Sequence, residues 1–225
     1  MAKKVLVLMG GFSAEREVSL TTGKCVCAAL KKAGYEVVSH DLQNGFELVE
    51  TLKKEKPDVV FNALHGNWGE DGEIQGFLDV LQVPYTHSGL KASVLGMDKS
   101  LTKELASENG IKVPQGEKMT FRKFKAEGTF LKMPYVVKPV SDGSSVGVYI
   151  IRKKEDAEAV RYEDDREILI EEFIDGKELT CMVLGSQAHV VTELRASDEF
   201  YDYHAKYTAG ATQHILPAEI PEEAA

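Results

Sequence analysis

Val5-Leu6-Val7-Leu8-Met9-Gly10-Gly11-Phe12-Ser13-Ala14-Glu15-Arg16-Glu17 is the stretch that decides the fold class. Its first five residues are an unbroken apolar run, the pattern of a strand buried on both faces. A glycine pair ends the run. Beyond it the apolar spacing turns helical, with Val18, Thr22, Cys25 and Ala29 expected on one face beside Val26, Leu30 and Ala33, and Gly34 as the stop. Strand, glycine turn and helix open a parallel α/β unit.

Reading outward, a strand over Tyr35 to Leu42, a helix over Phe46 to Lys54 and a buried strand over Val59 to Leu64 continue the alternation. Helices over Glu73 to Leu81 and Lys99 to Glu108 flank a further strand at Val83 to Thr86, and Gly110 to Pro114 reads as an exit. Beyond it the segments become strand-rich: Tyr135 to Lys138, Val146 to Ile151, Glu167 to Ile174, Glu178 to Leu184 and Ala188 to Leu194, with one helix over Glu155 to Tyr162. The expected architecture is α/β, an N-terminal open parallel-sheet domain over residues 1–96 followed by an α+β domain over 97–225.

A net charge of -9 and a pI near 5.3 argue against a polyanionic partner, so no nucleic acid is expected. No apolar run approaches the roughly 18 to 20 residues that cross a bilayer, and the start reads as free of a targeting segment, which makes a cytoplasmic protein the expectation. The 3 cysteines lack CxxC spacing and read as buried thiols.

Chemistry concentrates in five segments. The Gly10 to Glu17 turn carries Glu15 and Glu17, acids that repel a phosphate and suit a cationic group such as a substrate ammonium. His65-Gly66-Asn67-Trp68-Gly69-Glu70-Asp71-Gly72 follows a strand end, where open α/β sheets bind ligands, and makes His65 a site candidate. Lys138 stands inside an apolar strand just before Asp142-Gly143-Ser144-Ser145, so a point charge and a closable loop are offered to nucleotide phosphates; a plain hairpin accounts for the loop but not for the lysine. Ile168 to Glu178 is an apolar strand ending in acids, fit to line an adenine and ribose crevice. Phe200 to Tyr207 is an aromatic loop, either packing or a lid that excludes water.

In order along the chain, GGFSAEREVSL, ALHGNWGEDGEIQG, VPYTHSG, MDKSLTK, VVKPVSDGSSVGV, ILIEEFIDGKELT and FYDYHAKY resemble the segments of D-alanine:D-alanine ligases, members of the ATP-grasp superfamily. The resemblance implies a pre-ATP-grasp domain followed by an incomplete ATP-grasp domain, ATP and D-alanine as substrates, Mg²⁺ or Mn²⁺ in the complete enzyme, and a homodimer. It implies that Lys99 and Lys138 hold ATP phosphates, that Glu171, Glu172, Phe173 and Ile174 contact adenine, that Glu178 takes the ribose, and that Lys206 lies beside the nucleotide. Glu15 takes the ammonium of the first D-alanine and His65 faces the substrate pocket. Ser144 and Tyr207 form with Glu15 a hydrogen-bonded set that closes the loop.

His87 stands where the family has glycine, and His204 where it has glutamate. After Leu216-Pro217 only Ala218 to Ala225 remain, where the family continues with an oxyanion arginine and the ligands of two magnesium ions. No metal ligand is therefore assigned, and a C-terminally truncated, inactive chain is expected. Two alternatives stand beside this reading: another ATP-grasp carboxylate-amine ligase, and a non-catalytic nucleotide-binding module.

Overall fold

The computed structural model describes residues 2–196, 206, 208 and 210–222. The chain divides into two compact units, Met1–Val113 with Val140–Gly143, and Pro114–Pro139 with Ser144–Ala225.

The first unit contains β1 (Lys4–Gly10), α1 (Arg16–Lys32), β2 (Glu36–Leu42), α2 (Gly45–Glu55), β3 (Val59–Asn62), α3 (Glu73–Val80), α4 (Leu90–Met97) and α5 (Lys99–Glu108). Its sheet has the order β2-β1-β3, all parallel. The apolar run of β1 is buried on both faces because its alternate residues serve two cores. Val5, Val7 and Met9 pack with Leu20, Val26, Cys27 and Leu30 of α1, whereas Leu6 and Leu8 pack with Leu48 and Leu52 of α2 and Ile74 and Leu78 of α3.

Two expectations change here. The face of α1 on the sheet is Ser19, Leu20, Gly23, Val26, Cys27 and Leu30, while Cys25 and Ala29 are exposed. The reason is close approach: a Cβ at Gly23 would lie 2.6 Å from Met9 Cβ, and the Ser19 hydroxyl, itself buried, bonds Gly10 N at 2.9 Å and Ala63 O at 2.7 Å. The segment Val83 to Thr86 forms a single parallel bridge, Val60 to Tyr85, instead of a strand. Pro84 lacks the N–H that a ladder needs.

The second unit contains β4 (Gly116–Thr120), α6 (Phe121–Glu127), β5 (Tyr135–Pro139), β6 (Tyr149–Ile151), α7 (Lys154–Ala159), β7 (Glu167–Glu172), β8 (Glu178–Leu184), β9 (Gln187–Ala196) and β10 (Thr212–Ile215). It holds two antiparallel sheets, β4-β7-β5-β6 and β10-β9-β8. In the first, Tyr135 and Val137 of β5 and Ile168 and Ile170 of β7 share a core with Met119, Phe121, Phe124, Ile151 and Val160. With a side-chain period of two, Lys138 and Glu171 then fall together on the opposite face.

The cysteines also depart from expectation. All three are free thiols; Cys25 and Cys181 are exposed and Cys27 is half-buried. Both exposed thiols sit on outward faces, Cys25 on the solvent side of α1 and Cys181 on β8, whose residues are all exposed. No helix among the described residues is long and apolar enough to cross a membrane.

Candidate functional site

In the first unit the site is built on the carboxyl end of the parallel sheet. Gly10 and Gly11 have φ of 83° and 82°, a left-handed pair that only glycine adopts at little cost. The turn is clamped by Arg16, whose guanidinium meets Asp41 at the end of β2 through two bonds of 2.8 and 2.7 Å and also donates to Gly11 O at 3.2 Å. The Arg16 guanidinium holds the Asp41 carboxyl below the usual carboxylate range, so both partners keep their charge. A Cβ at Gly10 would lie 2.0 Å from Asp41 Oδ1, so the glycine is what lets this pair close.

The clamp leaves Glu15 at the N-cap position of α1, where its charge complements the helix dipole. Glu15 is only 5% exposed. Its backbone N–H donates to Ser13 Oγ at 3.1 Å, and that hydroxyl donates to His65 O at 2.7 Å, which ties the turn to the loop after β3. Two glycines wall the carboxylate: a Cβ at Gly66 would lie 2.6 Å from Glu15 Oε2, and one at Gly143 would lie 3.1 Å from it.

His65 and Gly66 begin the loop between β3 and α3. Glu70 accepts from Gly66 N at 2.7 Å, and its other oxygen lies 3.9 Å from His65 Nδ1. His65 Nε2 is 3.1 Å from Thr22 Oγ1, so the imidazole stands between a hydroxyl on α1 and a carboxylate in its own loop. Asn62 and Gln75 both donate to Gly69 O at 2.8 Å and fix the loop from below. His87 packs edge-on against Phe61 at 5.2 Å.

Lys99 opens α5, which Asp98 caps through Ser100 N at 2.8 Å and Leu101 N at 3.1 Å. The ammonium of Lys99 donates to Asp142 O at 2.6 Å and Val140 O at 3.4 Å. The segment Val140–Gly143 that receives it also carries the glycine against Glu15. Glu15, His65 and Lys99 are thus brought to one region of the first unit.

In the second unit Val136 of β5 pairs with Glu171 of β7, which sets Lys138 and Glu171 diagonally on one face. They form an ion pair in which Glu171 is 4% exposed. Glu172 serves the backbone: its carboxylate accepts from Gln115 N at 2.8 Å. The Arg152 guanidinium lies 5.6 Å over the ring of Phe173, a cation–π contact. Ile174 is 62% exposed, Glu178 is exposed at the start of β8, and Lys206 is half-buried. Ser144 and Ser145 take φ of 52° and 58°. Tyr207 and His204 lie outside the described residues.

Sequence reasoning missed Asp41, Thr22, Gln115 and Arg152. Asp41 alone carried a signal, an acid at the carboxyl end of a predicted parallel strand; the others depend on contacts that no spacing encodes.

The family described as "D-ala D-ala ligase C-terminus" matches residues 105–225, and its companion "D-ala D-ala ligase N-terminus" matches residues 42–88. The D-alanine–D-alanine ligase of Paramagnetospirillum magneticum is 48% identical over 224 residues, 99% of this chain and 73% of that protein. The counterpart from Zymomonas mobilis is 47% identical over 99% of this chain and 71% of its own length. Among solved structures, the D-alanine–D-alanine ligase from Bacillus anthracis complexed with ATP superposes with a TM-score of 0.78 at 36% identity, covering 99% of this chain and 73% of that one. The VanG D-Ala:D-Ser ligase from Enterococcus faecalis gives 0.75 at 29% identity, over 100% and 79%. With this identity across nearly its whole length, the chain belongs to the D-alanine–D-alanine ligase family.

Proposed function

We propose that the chain is an ATP-dependent ligase that joins two D-alanine molecules. The first carboxylate attacks the γ-phosphate of ATP, ADP leaves, and the amine of the second molecule displaces phosphate from the acyl phosphate. The observation that carries this reading is the Glu15 carboxylate, 5% exposed, at a helix N-cap and walled by Gly66 and Gly143. A buried carboxylate at the mouth of a parallel sheet selects a cation small enough to reach it, and an amino-acid ammonium is such a group. Thr22 and Glu70 hold His65 in one orientation toward that pocket.

On the nucleotide side Lys138 supplies positive charge, held in place by Glu171 until phosphate oxygens compete for it. Lys99 is held in the same manner by two carbonyls of the loop. Ser144 and Tyr207 serve loop closure, Glu171, Glu172, Phe173 and Ile174 the adenine and Glu178 the ribose, and Lys206 lies beside the nucleotide. The metal that the family implies does not fit the described residues: among them no group of three or more His, Cys, Asp or Glu is placed to hold an ion. Catalysis by the described side chains is positioning and charge complementarity. A cytoplasmic homodimer completes the reading.

The chain's single tryptophan, Trp68, lies in the His65 loop and contacts Phe12 edge-on at 5.5 Å, so its fluorescence reports on the pocket. D-alanine is expected to shift Trp68 emission where L-alanine does not. Glu15→Gln removes a charge-assisted bond, about 1.5–3 kcal/mol, and is expected to weaken D-alanine at least tenfold with ATP affinity unchanged. Equal responses to D- and L-alanine, or an indifferent Glu15→Gln, would overturn the assignment.

A further inference from the structure

The loop after Lys138 is held at its two ends by different side chains. At its start Lys99 grips the carbonyls of Val140 and Asp142. At its end the carbonyl of Gly147 accepts a hydrogen bond from the phenol of Tyr162. The same phenol oxygen lies 3.5 Å from Val137 O, on the strand that leads into the loop. One hydroxyl therefore spans the entry strand and the far end of the loop.

Tyr162 is suited to be an anchor because its ring is fixed. It meets Phe121 edge-on at 5.4 Å and Tyr149 edge-on at 5.6 Å, and Val160, two residues earlier, is 1% exposed. A Cβ at Gly147 would lie 3.3 Å from a ring carbon of Tyr162, so the glycine lets the ring sit close against the loop backbone. A phenylalanine would make the same ring contacts. The hydroxyl adds only polar interactions, and a half-buried hydroxyl needs them. Between the anchors Ser144 and Ser145 hold left-handed φ values of 52° and 58°. Side chains in that region cost roughly 1–2 kcal/mol each, and such a conformation persists when its surroundings determine it.

We propose that Tyr162 is a positioning residue for the glycine-serine loop, its phenol fixing the end about which the loop orders over nucleotide phosphates. The phosphate part rests on the nucleotide reading given above; the tether itself does not. Losing one hydrogen bond of this kind raises the population of the detached loop about 3- to 10-fold. A nucleotide that binds only the attached loop would in turn hold it attached, slowing its detachment by a factor that grows with ATP concentration, while its own affinity changes little as long as the attached loop predominates.

The test is amide hydrogen exchange on the whole chain, unsubstituted, Tyr162→Phe and Tyr162→Leu, followed by ATP titration of each and exchange again with ATP present. Tyr162→Phe is expected to speed exchange of the amides of Ser144 to Val148 about 3- to 10-fold, with β5 and β7 unchanged, and ATP at about ten times its dissociation constant to slow the same amides about tenfold in both proteins. Tyr162→Leu, which also loses the ring, is expected to speed exchange in β5, β6 and β7 as well. Loop amides that exchange at the unsubstituted rate in Tyr162→Phe would overturn the tether, as would a change spread evenly over β5–β7, the mark of a mere packing role. Loop exchange that saturating ATP does not slow would overturn the nucleotide part. An unsubstituted chain that does not bind ATP would sink the nucleotide reading itself, while the exchange comparison made without ligand would still decide the tether.

Discussion

The wall beside Glu15 makes a prediction about one atom. Gly66 has φ of 67°, and an alanine Cβ there would stand 2.6 Å from Glu15 Oε2. Because that oxygen is the far end of a side chain, Gly66→Ala is expected to displace the carboxylate rather than unfold the unit. Stability should fall by about 1–2 kcal/mol from the backbone alone, while D-alanine affinity, read from Trp68, falls by tenfold or more. Full affinity in Gly66→Ala would mean that Glu15 does not hold the substrate. At this scale the sequence marked a candidate wherever a residue type was out of place: acids on a glycine turn, a histidine at a strand end, a lysine within an apolar strand. It was silent on partners. That Lys138 meets Glu171 follows from the register Val136 to Glu171, which depends on the pairing of strands far apart in the chain.

Elements with a strong period were legible almost to the residue, as the predicted helix Lys99 to Glu108 and strand Glu178 to Leu184 illustrate. Those missed are short, as α6 (FRKFKAE) is, or lack a period. Helix α4 reads LKASVLGM, with no acid and a single charge to define a polar face, and β4 and β10 are short polar strands that gain definition only from their ladder partners β7 and β9. Part of the face of α1 was misassigned, although Val26 and Leu30 pack as expected, because the closest contact with the sheet is made by small residues, Ser19 and Gly23, that hydropathy does not mark. The β8-β9-β10 sheet carries a prediction of its own. Glu193, 3% exposed, accepts from Lys177 at 2.8 Å and Arg195 at 2.6 Å, which push its carboxyl from 4.5 down to about 2. A carboxyl depressed in the folded state adds stability that is present above pH 4.5 and is lost as pH falls from there through about 2. Thermal melts are expected to decline over that window, and Glu193→Gln to decline less steeply while starting lower at neutral pH. Parallel curves for the two proteins would remove Glu193 from the account.

On the scale of the whole molecule, the boundary expected after residue 96 stands beside a division of the compact units after Val113, and the order of a parallel α/β unit followed by an α+β unit was visible from the change in strand patterning. That Val140–Gly143 packs with the first unit was not, since a loop gives no hydrophobic signal of where it docks. The separate cores predict separate melting. Leu6 and Ile170, each 0% exposed, lie in the first and second units. Leu6→Ala and Ile170→Ala are each expected to cost about 2–5 kcal/mol, and calorimetry to resolve two transitions, each variant lowering a different one. A single transition lowered equally by both would mean that the units unfold as one. The thiols described earlier add a practical consequence. Cys25 is exposed on the first unit and Cys181 on the second, while burial pushes the half-buried Cys27 thiol up and slows its reaction. Without adding or deleting a residue, the chain accepts a donor dye and an acceptor dye on opposite units, and energy transfer between them becomes a ruler for following the molecule as ATP is titrated.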